Sequence, residues 1–111
     1  MRVRYDKLVR DRIPEIIQSQ GHRPITRVLD DASYKAALLA KLAEEASEAQ
    51  AAAAEDLPAE LADVLEVIKA LVSALGMSWA QLLGLAADKR TRNGGFEGRV
   101  FLEFVEPTRD S

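Results

Sequence analysis

Five acidic residues sit at helical spacing on two neighbouring stretches of the chain: Glu44, Glu45 and Glu48, then Glu60 and Asp63. Carboxylates grouped in this way do one of two things. On a solvated face they favour the helix dipole or pair with Lys35, Lys41 or Lys69. On the margin of a core they repel: two unit charges ~5 Å apart at an effective dielectric of ~20 cost roughly 3 kcal/mol, before desolvation is added. A divalent cation reverses that sign. Where all donors are oxygens, the fitting ions are Mg²⁺ or Mn²⁺ rather than zinc.

The elements that must position these acids can be read from hydrophobic periodicity. From Ser33 to Ala54, a step of ~100° per residue puts Leu38, Leu39, Leu42, Ala46, Ala49 and Ala53 in one apolar sector, with Glu45 and Glu48 on its margin and Glu44 pointing more outward. From Leu57 to Leu75 a second stripe runs through Leu57, Leu61, Val64, Leu65, Ile68, Val72 and Leu75. Val67, Leu71 and Ala74 widen it on one side, where Glu60 and Asp63 continue the seam. The break at Glu55-Asp56-Leu57-Pro58 offers Asp56 as a cap and Pro58 in the first turn, and so short a connection makes the two helices antiparallel neighbours. The four core-margin acids Glu45, Glu48, Glu60 and Asp63 should therefore meet.

Two further helices and two strands complete the expected plan. A short helix lies within Asp11 to Gln20, closed by Gly21, and another runs from Trp79 to about Arg92, after a Ser78/Gln81 capping spacing and before Asn93-Gly94-Gly95. The segments Ile25 to Leu29 and Arg99 to Glu106 carry strand-like patterns and could pair. The fold class is then mainly α, an antiparallel helical bundle with a small β appendage.

Composition limits the chemistry further. The chain has 111 residues, 48% of them hydrophobic and 30% charged, which fits a single domain over 1–111. A formal charge of -3 gives no reason to expect a nucleic acid polymer or an anionic membrane as partner. Cysteine is absent and His22 is the sole histidine, which removes disulfides, thiol nucleophiles and Cys/His zinc sites. No run approaches the ~18 apolar residues of a membrane span. The expected location is cytoplasmic.

Taken together, the motifs resemble a known family. Glu44-Glu45-x-x-Glu48 followed by Glu60-x-x-Asp63 is similar to the EExxE and ExxD signature of the all-α nucleoside triphosphate pyrophosphatases, which include MazG proteins and phosphoribosyl-ATP pyrophosphohydrolase. The opening Tyr5-Asp6-Lys7-Leu8-Val9-Arg10-Asp11-Arg12-Ile13-Pro14 resembles the start of a small MazG-like branch. Lys89-x-x-Arg92 before Gly94-Gly95-Phe96 resembles that branch's ending.

The resemblance implies a MazG-type bundle that hydrolyses a nucleotide between its α and β phosphates, giving a monophosphate and pyrophosphate. It implies Glu45, Glu48, Glu60 and Asp63 as Mg²⁺ ligands (Mn²⁺ as the alternative ion), with Glu44 or Glu45 in the catalytic role of base or second-ion ligand. Lys89 and Arg92, then Lys7 and Arg10, are the cations placed to meet substrate phosphates. The chemistry agrees with the residues present, because phosphoryl transfer to water needs charge neutralisation and an in-line nucleophile rather than a covalent dyad. Damaged or surplus triphosphates are the expected substrates, and phosphoribosyl-ATP is the alternative. A homodimer or higher homo-oligomer is the expected assembly, since the Ala-rich stretch Ala49 to Ala54 allows close helix approach. A non-catalytic oligomeric helical module is the rival reading. Asp6 departs from the family's Asn, and a negative charge beside a phosphate is unfavourable unless it binds metal or points away.

Overall fold

The computed structural model describes residues 2–108, which hold four helices and no strand: α1 (Ile13–Ser19), α2 (Asp31–Ala51), α3 (Leu57–Ala74) and α4 (Trp79–Asn93). The chain divides into two compact units, Met1–Trp79 and Ala80–Ser111. No single described helix is long and apolar enough to cross a membrane.

In the first unit, α2 and α3 pack on each other as a helical hairpin. Among the described residues the buried apolar side chains are Leu38 of α2 and Val67 and Val72 of α3. The contact therefore runs along the side of α3 that carries Val67, with Val64, Ile68 and Leu71 half-buried beside it. Leu57, Leu61, Leu65 and Leu75, on the other part of the apolar stripe, are exposed. The α2 contact is thus displaced toward the widened edge of the α3 stripe and away from the line of Leu57, Leu61 and Leu65.

Each helix boundary has a local cause. Helix α2 begins at Asp31, earlier than periodicity places it, because the Asp30 carboxylate accepts a hydrogen bond from the Ser33 amide at 2.8 Å. That bond holds the Asp30 carboxyl below its ordinary value. The same helix stops at Ala51, short of the expected Ala54, as Ala52 turns to extended backbone (φ -70°, ψ 147°) to begin the reversal into α3. Asp56 precedes α3 without capping it through its side chain, contrary to expectation, and Pro58 occupies the first turn. Both α1 and α3 end in Schellman geometry. Gly21 (φ +85°) donates to Gln18 and His22 to Ile17, and Gly76 (φ +72°) donates to Ser73 and Met77 to Val72.

The expected β appendage does not form among the described residues. Ile25 to Leu29 and 99–106 are without ladder hydrogen bonds, and apart from the half-buried Leu29 their apolar side chains stand in solvent, Val28 at 99% and Phe101 at 88% exposure. Alternation reports what a strand could bury, but two short strands alone are marginal in water and neither segment has the third strand or covering helix that would stabilise it.

In the second unit, Gly94 (φ +84°) terminates α4, and its amide reaches the Arg90 carbonyl at 2.7 Å. Arg90 also donates to Glu97 at 2.7 Å, which holds the Glu97 carboxyl below its ordinary value. A Cβ at Gly95 would collide with both ends of that ion pair. The Gly-Gly pair thus has a structural cause: the first glycine turns the chain and the second leaves room for a bridge that fastens the turn.

Candidate metal centre

Helix periodicity and the hairpin together gather the acids. Glu45 reaches inward from α2, and Glu60 and Asp63 from the first two turns of α3, so that one carboxylate oxygen of each lies within 4.8 Å of the others. Glu45 is the buried member, at 7% exposure, while Glu60 and Asp63 are half-buried. Burial at this point follows from the seam: Glu45 is seven residues after Leu38, two helical turns along the same face.

The remaining acids of the two motifs stand around this triad. Glu48 is exposed, and its carboxyl is pushed above its ordinary value, first by a hydrogen bond with Glu45, then by the Glu45 charge and by burial, with Glu60 and Glu44 adding to the effect. Glu44 is half-buried and held between two lysines, Lys7 at 3.5 Å and Lys41 at 3.6 Å. Lys41 also reaches Glu45 at 3.4 Å. Its i,i+3 and i,i+4 spacing to Glu44 and Glu45 is a signal visible in the sequence, which marks Lys41 as the inner counterion of the cluster.

The N-terminal segment supplies two more cations. Arg10 donates to Asp63 at 2.6 Å and Lys7 contacts Glu44. Asp6, just before them, lies in the left-handed region (φ +46°), which Asn and Asp tolerate better than other residues, and pairs with Arg4 at 3.5 Å. Its charge is thus directed to Arg4. Lys89 and Arg92 are exposed near the end of α4, in the second unit. Their extension of the Leu82/Leu85 face does not bury them, because Leu85 itself is exposed. Trp79, half-buried at the start of α4, has the Lys69 ammonium 5.9 Å from its ring centre, a cation–π contact.

The donor set fits a hard divalent cation. Glu45 Oε2 and Glu60 Oε2 are buried and accept no hydrogen bond within the chain. An ionised oxygen in that position is costly unless a cation meets it. Around the triad, the five carboxylates face Lys7, Arg10 and Lys41, which leaves two formal negative charges when every acid is ionised. Residues Glu45, Glu60 and Asp63 could hold the ion, and oxygen donors alone favour Mg²⁺ or Mn²⁺.

The chain is 52% identical over 54 residues to an uncharacterized protein of Mycolicibacterium smegmatis, a match covering 49% of this chain and 55% of that protein. The chain spans about half the length of the curated relative it matches. No family model matches the sequence, and no solved structure matches it.

Proposed function

We propose that the chain is a Mg²⁺-dependent nucleotide pyrophosphohydrolase similar to the MazG-like enzymes, cleaving a nucleoside triphosphate between the α and β phosphates. The observation that carries this reading is the convergence of Glu45, Glu60 and Asp63 with two buried, unpartnered carboxylate oxygens, from the two stretches that resemble the EExxE and ExxD motifs. When bound, Mg²⁺ would neutralise phosphate charge and lower the pKa of a water.

The chain's own residues divide the remaining tasks. Glu45, Glu60 and Asp63 hold the ion, and Glu48, resting on Glu45, orients that carboxylate or joins it as a fourth ligand. Glu44 shares Lys41 with Glu45, is less buried than it, and is our candidate for the base that accepts a proton from the attacking water or for a second-ion ligand. Lys7 and Arg10 are the cations of this unit nearest the acids and the ones suited to phosphate oxygens. A homodimer agrees with the same reading, because Leu57, Leu61, Leu65 and Leu75 leave an apolar side of α3 uncovered.

The test is pyrophosphate release from a panel of ordinary and modified nucleoside triphosphates and phosphoribosyl-ATP, with Mg²⁺, Mn²⁺ or chelator. Metal-dependent release supports the reaction class and its best compound names the substrate. Absence of release from every compound contradicts the proposal and favours the rival of a helical interaction module.

A further inference from the structure

The carboxylate that accepts Arg10 is also one of the three that converge on the candidate metal position. Arg10 Nη2 lies 2.6 Å from Asp63 Oδ1, and Lys7 Nζ lies 3.5 Å from Glu44 Oε1, so an irregular segment before α1 straps two positive charges across acids of α2 and α3. The strap has its own anchors: Asp6 turns the backbone at positive φ, and the Ile13 amide bonds the Arg10 carbonyl at 3.0 Å where α1 begins. In the same triad as Asp63 is Glu45, whose side chain is nine-tenths buried and whose Oε2 takes no hydrogen bond.

A guanidinium so placed acts against a divalent ion in two ways. It occupies part of the acceptor capacity of Asp63, and it sets a positive charge beside the position a second positive charge must take. Lys41 differs, because it runs along α2 from one side and is itself mostly buried, whereas Arg10 is more than half exposed and free to swing outward.

We propose that Arg10 is a built-in counterion of the metal-free site, displaced from Asp63 when a divalent cation binds, so that the cation must load before the strap can offer Arg10 and Lys7 to an anionic substrate. This inference rests on the metal reading above. It adds an order, metal first and nucleotide second, and a coupling between the acid cluster and the segment 7–12.

Two measurements without nucleotide test it. Calorimetric titration with Mn²⁺ should show Arg10→Ala binding about tenfold more tightly than the unaltered chain, the effect expected for removing one unit charge about 6 Å from a divalent ion in a water-like dielectric. Hydrogen exchange of the unaltered chain should show the Ile13 amide, which bonds the Arg10 carbonyl at 3.0 Å, exchanging faster with Mn²⁺ than with chelator. Equal or weaker Mn²⁺ binding by a folded Arg10→Ala overturns the displacement, as does an Ile13 amide equally protected in both states. The exchange measurement decides the matter if the variant does not fold. If neither protein binds Mn²⁺, the metal reading itself fails and takes this inference with it. Binding with no strap response defeats the inference and leaves the metal site standing.

Discussion

Glu45 of α2 and Glu60 of α3 bring carboxylate oxygens within 4.8 Å of each other across the helical hairpin, and each has a buried Oε2 that accepts no hydrogen bond. Apolar neighbours cannot compensate such a pair. The hairpin carries it because α2 and α3 pack along the side that buries Leu38 and Val67, which places the acids where a cation would stabilise them.

Metal should therefore stabilise the fold. At a Mn²⁺ concentration about a hundred times the dissociation constant, binding to the native state alone contributes about 2.7 kcal/mol, a rise of roughly 10 °C in a domain of this size. Differential scanning calorimetry should show that rise in the unaltered chain and none in Glu45→Gln, whose metal-free midpoint should be no lower. A rise that survives in Glu45→Gln would place the ion elsewhere.

Glu48 gives the site a pH signature. Its folded-state carboxyl is raised, chiefly by Glu45, so the proton it holds stabilises the folded state below the ordinary glutamate value of 4.5, and that contribution is lost as pH rises through the raised value. With chelator present, the unaltered chain should lose thermal stability across that window relative to Glu48→Gln, where the titration is absent. Parallel curves for the two proteins would show that Glu48 titrates normally. In turnover, the same variant should lose roughly 10- to 100-fold or more in kcat/KM while remaining folded.

The small core makes Leu38 expensive to remove. At 3% exposure it fills the contact between α2 and α3, and Leu38→Ala should cost about 2–4 kcal/mol in urea unfolding. Because the acids are held by that same contact, Mn²⁺ affinity should fall with it. A cost below about 1 kcal/mol would mean that this seam does not hold the helices together.

The uncovered side of α3 predicts self-association. Leu61, 54% exposed and between Leu57 and Leu65 on one line of the helix, should become buried in a dimer. Analytical ultracentrifugation should find the unaltered chain dimeric and Leu61→Asp shifted to monomer. A monomeric unaltered chain would refute this assignment, leaving the metal site unaffected.

The hairpin and its acids were legible in the sequence because both depend on local quantities: the 3.6-residue period, the Pro58 break and the shortness of the turn. What was not legible depends on tertiary placement. Nothing in the spacing of Lys7 and Arg10 ranks them above Lys89 and Arg92, yet the irregular N-terminal path brings the first pair to Glu44 and Asp63, whereas the second lies exposed on α4. The apolar residues of α3 follow the helical period, but four of the seven in the expected stripe, Leu57, Leu61, Leu65 and Leu75, are exposed, because the period alone does not say which edge faces α2. Asp30 was missed as a cap although its three-residue spacing to Ser33 is a readable signal, while Asp56, equally plausible by type, makes no capping bond. Arg99 to Glu106 has the alternation of a strand and Ile25 to Leu29 its β-branched composition, but among the described residues neither has a partner strand.

The most direct test of the central claim is phosphorus NMR of a triphosphate turned over by the chain in Mg²⁺, beside Glu45→Gln and a chelated control. The account predicts monophosphate and pyrophosphate appearing in equal amounts, from the unaltered chain with metal and from neither control. Orthophosphate as the first product, turnover that persists with chelator or in Glu45→Gln, or an unchanged spectrum for every triphosphate tried would contradict it.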